Sequence, residues 1–152
     1  MIPDLIDGVL PEGVHECTMD EVAERFGRFL RTDRRVRLTE RLRRYVEEVR
    51  GSGISTAVII DGSYISGRDE PSDVDLILVL RPDYHPASDP RPFSYNLRSK
   101  RRVKKLYRFD ILPAADGSAA YRTYVDFFCG VRRDIPEPYT RRTRKGIVRI
   151  AL

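Results

Sequence analysis

The stretch that most narrows the choice of fold is residues 54–80, ISTAVIIDGSYISGRDEPSDVDLILVL. Two short runs rich in Val, Ile and Leu, 54–61 and 74–80, flank a polar loop of Gly, Ser, Asp and Pro. Runs of this length and composition, bounded by turn residues, read as strands buried on both faces. They are expected to be neighbours in one sheet. The polar loop then sits at the tip of the pair, which is where a ligand site belongs.

Helices surround this pair in the sequence. Residues 18–29 open on Thr18 with Glu21 three positions later, so each side chain can satisfy a backbone N–H at a helix start. From Asp33 to Arg50 the apolar positions Val36, Leu38, Leu42, Tyr45, Val46 and Val49 recur at mostly helical spacing, and Gly51 and Gly53 supply the stop. The other face, dense in Arg and Glu, is expected in water. Residues 81–92 hold four prolines and read as an exposed loop. A third helix is expected over 93–107, packing through Val103, Leu106 and Tyr107. A strand follows over 108–114, ending at Pro113, then a helix over 119–130 stopped by Gly130, then an edge strand over 145–152. This order predicts an α+β fold, a mixed β-sheet covered by helices, and 152 residues suit one domain spanning the chain.

Successive strand side chains alternate faces, so Asp73 and Asp75 point the same way, about 7 Å apart. Two like charges beside a buried apolar run repel unless a cation resolves them. Carboxylate oxygens suit magnesium, which takes its remaining ligands from water and from a substrate's phosphates. Gly62 and Ser63, just after the first run, complete the picture. Glycine lets backbone approach a bulky anion, and the Ser63 hydroxyl and neighbouring N–H groups can bond phosphate oxygens.

Gly-Ser, nine residues, then Asp-x-Asp, with strands on both sides, resembles the signature of the DNA polymerase beta-type nucleotidyltransferase superfamily, above all its small minimal nucleotidyltransferases. More broadly, LPEGVHECTMDEVAERFG near the start and KGIVRI near the end resemble small prokaryotic proteins with a nucleotidyltransferase-like core. The resemblance implies two magnesium ions and transfer of a nucleoside monophosphate from a nucleoside triphosphate, ATP first among them, to an acceptor such as a protein or RNA. It places Gly62 and Ser63 on phosphate and Asp73 and Asp75 on metal. The family's third carboxylate, on a later strand, falls on Asp110 in YRFDILP, which would bind the ion nearest the acceptor and take its proton. Asp126, in a helix among aromatics, is the alternative.

The chain departs from the family where many members carry Arg soon after Gly-Ser. Here Tyr64, Ile65 and Ser66 follow, and the first basic residue is Arg68, which would then meet the phosphates unless Lys100, Arg101, Lys104 or Lys105 reach them. Tyr64 lies where it can touch a nucleobase. Tyr121, Tyr124, Phe127 and Phe128 read as core packing. His15 and His85 read as loop residues without metal-ligand neighbours, and Cys17 and Cys129 as reduced thiols.

The net charge of +5 is concentrated in residues 98–108, with seven basic residues and no acid, and 141–145, with four more. Such clusters attract phosphate or simply hydrate a helix face. The competing function is therefore a non-catalytic nucleotide- or nucleic-acid-binding protein, such as one half of a toxin–antitoxin pair. No run approaches the length of a membrane span and the start does not read as a secretory signal, so a cytoplasmic protein without membrane partners is expected.

Overall fold

The structure, a computed structural model, describes residues 1–132 and 140–152. Its centre is the pair expected from residues 54–80: β2 (Ser55–Asp61) runs antiparallel to β3 (Asp75–Leu80). β4 (Asp110–Ala115) extends the sheet parallel to β3. On the other side β5 (Gly146–Ala151) pairs antiparallel with β2, and β1 (Gly13–Cys17) pairs parallel with β5. The order β1-β5-β2-β3-β4 is a mixed five-stranded sheet, and with helices on its faces the fold is α+β.

One face carries most of the core. Val58, Ile60, Leu76, Leu78, Ile111, Val148 and Ile150 project from it. Against them pack α1 (Met19–Phe26), α2 (Arg34–Ser52), α3 (Pro92–Arg98) and α4 (Lys100–Tyr107). The Thr18–Glu21 reciprocal cap forms as its spacing implies, with Glu21 N–H donating to Thr18 Oγ1 at 3.1 Å and Thr18 N–H to Glu21 Oε2 at 2.8 Å. α2 buries Leu42, Tyr45, Val46 and Val49 and ends at Gly53 in the left-handed region. Each such side chain contributes roughly 1.5–3 kcal/mol on burial. The opposite face carries Ala57, Ile59, Ile77, Val79 and Ile147, covered by α5 (Ala119–Cys129) through Phe128 and Cys129.

Several expectations are corrected. The C-terminal strand is interior, because β1 lies outside it; His15 belongs to β1, its ring Nε2 2.7 Å from the Pro11 carbonyl. The helix expected over 93–107 is two helices. Leu97 and Val103 are both buried but six residues apart, about 240° around one helix axis. Ser99 breaks the run with extended backbone, its hydroxyl accepting from Arg102 N–H, and both residues then reach the core. Leu106 is exposed rather than packed. Pro113 lies inside β4, tolerated because among the described residues β4 is an edge strand paired with β3 alone. Among the described residues no helix is long and apolar enough to cross a membrane.

Candidate active site

The registers align three carboxylates. Asp61 at the end of β2 is directly opposite Asp75 at the start of β3, and Asp75 is directly opposite Asp110 at the start of β4. Directly opposed residues share a face, here the face covered by α5, because Ile59, Ile77 and Leu112 continue the same alternation deeper in the sheet. Asp73 joins them from the loop, so the end of the sheet carries four carboxyl groups.

The loop itself explains why glycine and serine head it. Gly62 has φ +91°, and a Cβ there would meet the Asp73 carbonyl oxygen at 2.8 Å and Asp75 N at 3.2 Å. Only glycine lets the two ends of the loop lie this close. Ser63 then ties them. Its hydroxyl accepts from Ser72 N–H at 3.0 Å and Asp73 N–H at 3.2 Å, and donates to Asp73 Oδ1. Ser63 N–H donates to the same Oδ1 at 3.1 Å. The donors expected to meet phosphate are thus turned onto Asp73.

The Tyr64-Ile65-Ser66 departure also has a structural account. Tyr64 is fully buried and bonded at 2.6 Å to Thr39 Oγ1, so it does not touch a nucleobase, contrary to the sequence expectation. Ile65 is buried beside it. Beneath them lies Arg35 of α2, a residue expected in water and in fact buried. Its guanidinium makes five hydrogen bonds to four backbone carbonyls: Phe26 at 3.2 Å, Tyr64 and Ser66 at 2.8 Å each, and Arg68 from both Nε, at 3.0 Å, and Nη2. Residues after Gly-Ser therefore anchor the loop into the core.

These surroundings shift the carboxyl groups in opposite directions. Burial acts to raise Asp73, but its hydrogen bonds from Ser63 outweigh burial and hold it below the ordinary carboxylate value. Asp75 is pushed up to about 7, first by burial, then by the charge of Asp73 and a hydrogen bond shared with it, with Asp61 and Asp110 adding to the effect. The pair is thus split, Asp75 toward the protonated form and Asp73 toward the ionised one. Asp61 is raised by burial in spite of Lys145, whose ammonium is bonded to it.

A cavity of about 660 Å³ opens on this sheet end. Its polar lining includes Asp61, Ser63, Ser72, Asp73, Asp75, Asp110, Arg132 and Lys145, and its apolar lining includes Leu112, Phe127, Phe128 and Val131. The exposed Arg68 also lines it. Phe127 corrects the sequence reading: it is 67% exposed, not core, and its ring borders the cavity. Lys100, Arg101, Lys104 and Lys105 do not line it. Lys104 bonds Asp110 at 3.1 Å with both side chains exposed. Asp126, the alternative third carboxylate, is exposed, bonded to Arg144 at 2.9 Å, and outside the cavity lining.

Among the described residues no three His, Cys, Asp or Glu side chains stand as a ready-made metal-ligand group. The donor chemistry nonetheless fits a hard cation. Asp73 and Asp75 offer oxygen only, and the charge of Asp73 that helps to raise Asp75 is a repulsion that a divalent ion would relieve. The partners that sequence reasoning missed are Asp61, Lys145 and Arg35. Asp61 was legible as a third member of the strand-end pattern, whereas the other two required the fold.

No curated protein and no solved structure matches the chain. A family model described as a family of unknown function, DUF6932, matches residues 3–151. Nearly the whole fold described above thus lies within that match, and the chain belongs to the DUF6932 family.

Proposed function

We propose that this protein is a magnesium-dependent nucleotidyltransferase, transferring a nucleoside monophosphate from a nucleoside triphosphate, ATP first among the candidates, to an acceptor hydroxyl on a protein or RNA. The observation that carries the reading is the carboxylate row at the sheet end, Asp75 directly opposite Asp110 with Asp73 joining from the Gly62–Ser63 loop, all three lining a cavity of about 660 Å³. The sequence resemblance supplies the reaction class.

Asp73 and Asp75 would hold the metal, with Asp110 beside them in the strand-end row. Bound there, magnesium would neutralise charge developing on the phosphates. The chain's own contribution is positioning. Arg35 and Ser63 fix the loop, Arg68 meets phosphate, and the apolar lining around Phe127 takes the base. In the reaction an acceptor oxygen forms a bond to the α-phosphorus, the bond to the bridging oxygen breaks, and pyrophosphate leaves with the electron pair. The acceptor proton passes to Asp110.

A second reading, nucleic-acid binding without catalysis, draws on α2 and α4. Arg41 is lowered by burial and by the like charges of Arg108, Arg44 and Arg37, a concentration of cations that a phosphate backbone would relieve. Label transfer from α-32P-labelled nucleoside triphosphates separates the two. The wild type should form a labelled product and release pyrophosphate, and Asp73→Asn with Asp75→Asn should abolish both while remaining folded. Equal signals from wild type and variant would overturn the catalytic reading.

A further inference from the structure

Beyond the carboxylates, the sheet end holds a buried cation. In the strand order β5-β2-β3-β4, the ends present Lys145, Asp61, Asp75 and Asp110 in sequence across the sheet. Lys145 immediately precedes β5, and its backbone is fixed by N–H donation to the Cys129 carbonyl at 2.9 Å. Its side chain is bonded to Asp61, and the two residues are only 4% and 6% exposed.

Stability does not account for such a pair. Desolvating two charges costs as much as or more than their attraction returns, and apolar residues of similar volume do as well or better. The same face one step deeper is apolar, with Ile59, Ile77 and Ile147. At the cavity, by contrast, both Lys145 and Asp61 form part of the lining next to Gly62 and Ser63. The bond to Asp61 fixes the orientation of the ammonium at the cavity that Lys145 lines.

We propose that Lys145 receives the terminal phosphates of the nucleotide, with Asp61 as its positioning residue. This rests on the nucleotidyltransferase reading of the same cavity and adds to the exposed Arg68 a second, buried cation. The ligand class is a nucleoside triphosphate, and the contribution of Lys145 scales with the number of phosphates beyond the first.

The test compares a non-hydrolysable ATP analogue with AMP by calorimetry in magnesium. Wild type, the neutral pair Lys145→Met with Asp61→Asn, and Lys145→Arg are measured. The neutral pair avoids a buried unpaired charge, and circular dichroism checks its fold. Loss of one charge-assisted phosphate contact should weaken the triphosphate analogue about tenfold or more. AMP affinity should be unchanged, and Lys145→Arg should restore part of the loss. An unchanged triphosphate-to-monophosphate ratio in the neutral pair would overturn the role of Lys145 while leaving the site reading intact. A wild type with no magnesium-dependent nucleotide affinity would overturn both.

Discussion

Replacing Arg35 with methionine keeps most of the aliphatic volume of the side chain but deletes all five hydrogen bonds to the carbonyls of Phe26, Tyr64, Ser66 and Arg68. The bonds to Phe26, Tyr64 and Ser66 are buried, so water cannot readily replace them. Each stranded carbonyl costs about 1–3 kcal/mol. Three would total roughly 3–9 kcal/mol, against which the variant no longer desolvates a guanidinium, a cost visible in the lowering of Arg35 by burial. A net loss of about 3 kcal/mol is the working figure, equivalent to a fall in Tm of about 6–12 °C for a chain of this size. Differential scanning calorimetry reads it directly, and Arg35→Lys should recover only a small part because three donors on a point charge cannot span four carbonyls. A change in Tm below about 2 °C would refute the claim that Arg35 anchors the loop, since it would mean that the loop carbonyls find other partners at no cost.

Two further outcomes follow from the site. Asp75, raised to about 7 in the fold, binds a proton that the unfolded chain, with an ordinary carboxyl near 3.8, has already released. In metal-free buffer this contribution is fully present below the unfolded value and is lost as pH rises through about 7. Asp75→Asn should therefore raise Tm relative to wild type more at pH 8 than at pH 5, and added magnesium should do the same for the wild type; thermal melts across pH check both. Phe127→Ser should leave Tm within about 2 °C, because a ring that is 67% exposed contributes little to the core, yet weaken nucleotide binding several-fold by calorimetry.

What the sequence made legible was local. The apolar runs at 54–61 and 74–80 are bounded by their own turn residues and the Thr18–Glu21 cap needs three residues of context, whereas Asp73, expected beside Asp75 by strand alternation, lies before β3 and is held in the loop by Ser63. The rest depends on contacts between distant segments. β1 is five residues long, alternates half-buried with exposed, and pairs with a strand more than a hundred residues later. Asp61 and Lys145 are 84 residues apart. Arg35 shares its helix with exposed arginines, and nothing in its neighbours marks it as the one turned inward beneath the loop. Phe127 and Phe128 are adjacent and both line the cavity, and only the placement of α5 on the sheet buries Phe128 in the core while leaving Phe127 exposed.

The central claim is that Asp73 and Asp75 form a metal-dependent nucleotide site. Calorimetric titration of a non-hydrolysable ATP analogue, with magnesium and with EDTA, tests it most directly in the wild type and in Asp73→Asn with Asp75→Asn. The account predicts that the wild type binds in magnesium and loses that binding in EDTA. The folded variant should not bind in either. Equal affinity in magnesium and EDTA for the wild type, or magnesium-dependent binding retained by the variant, would contradict it.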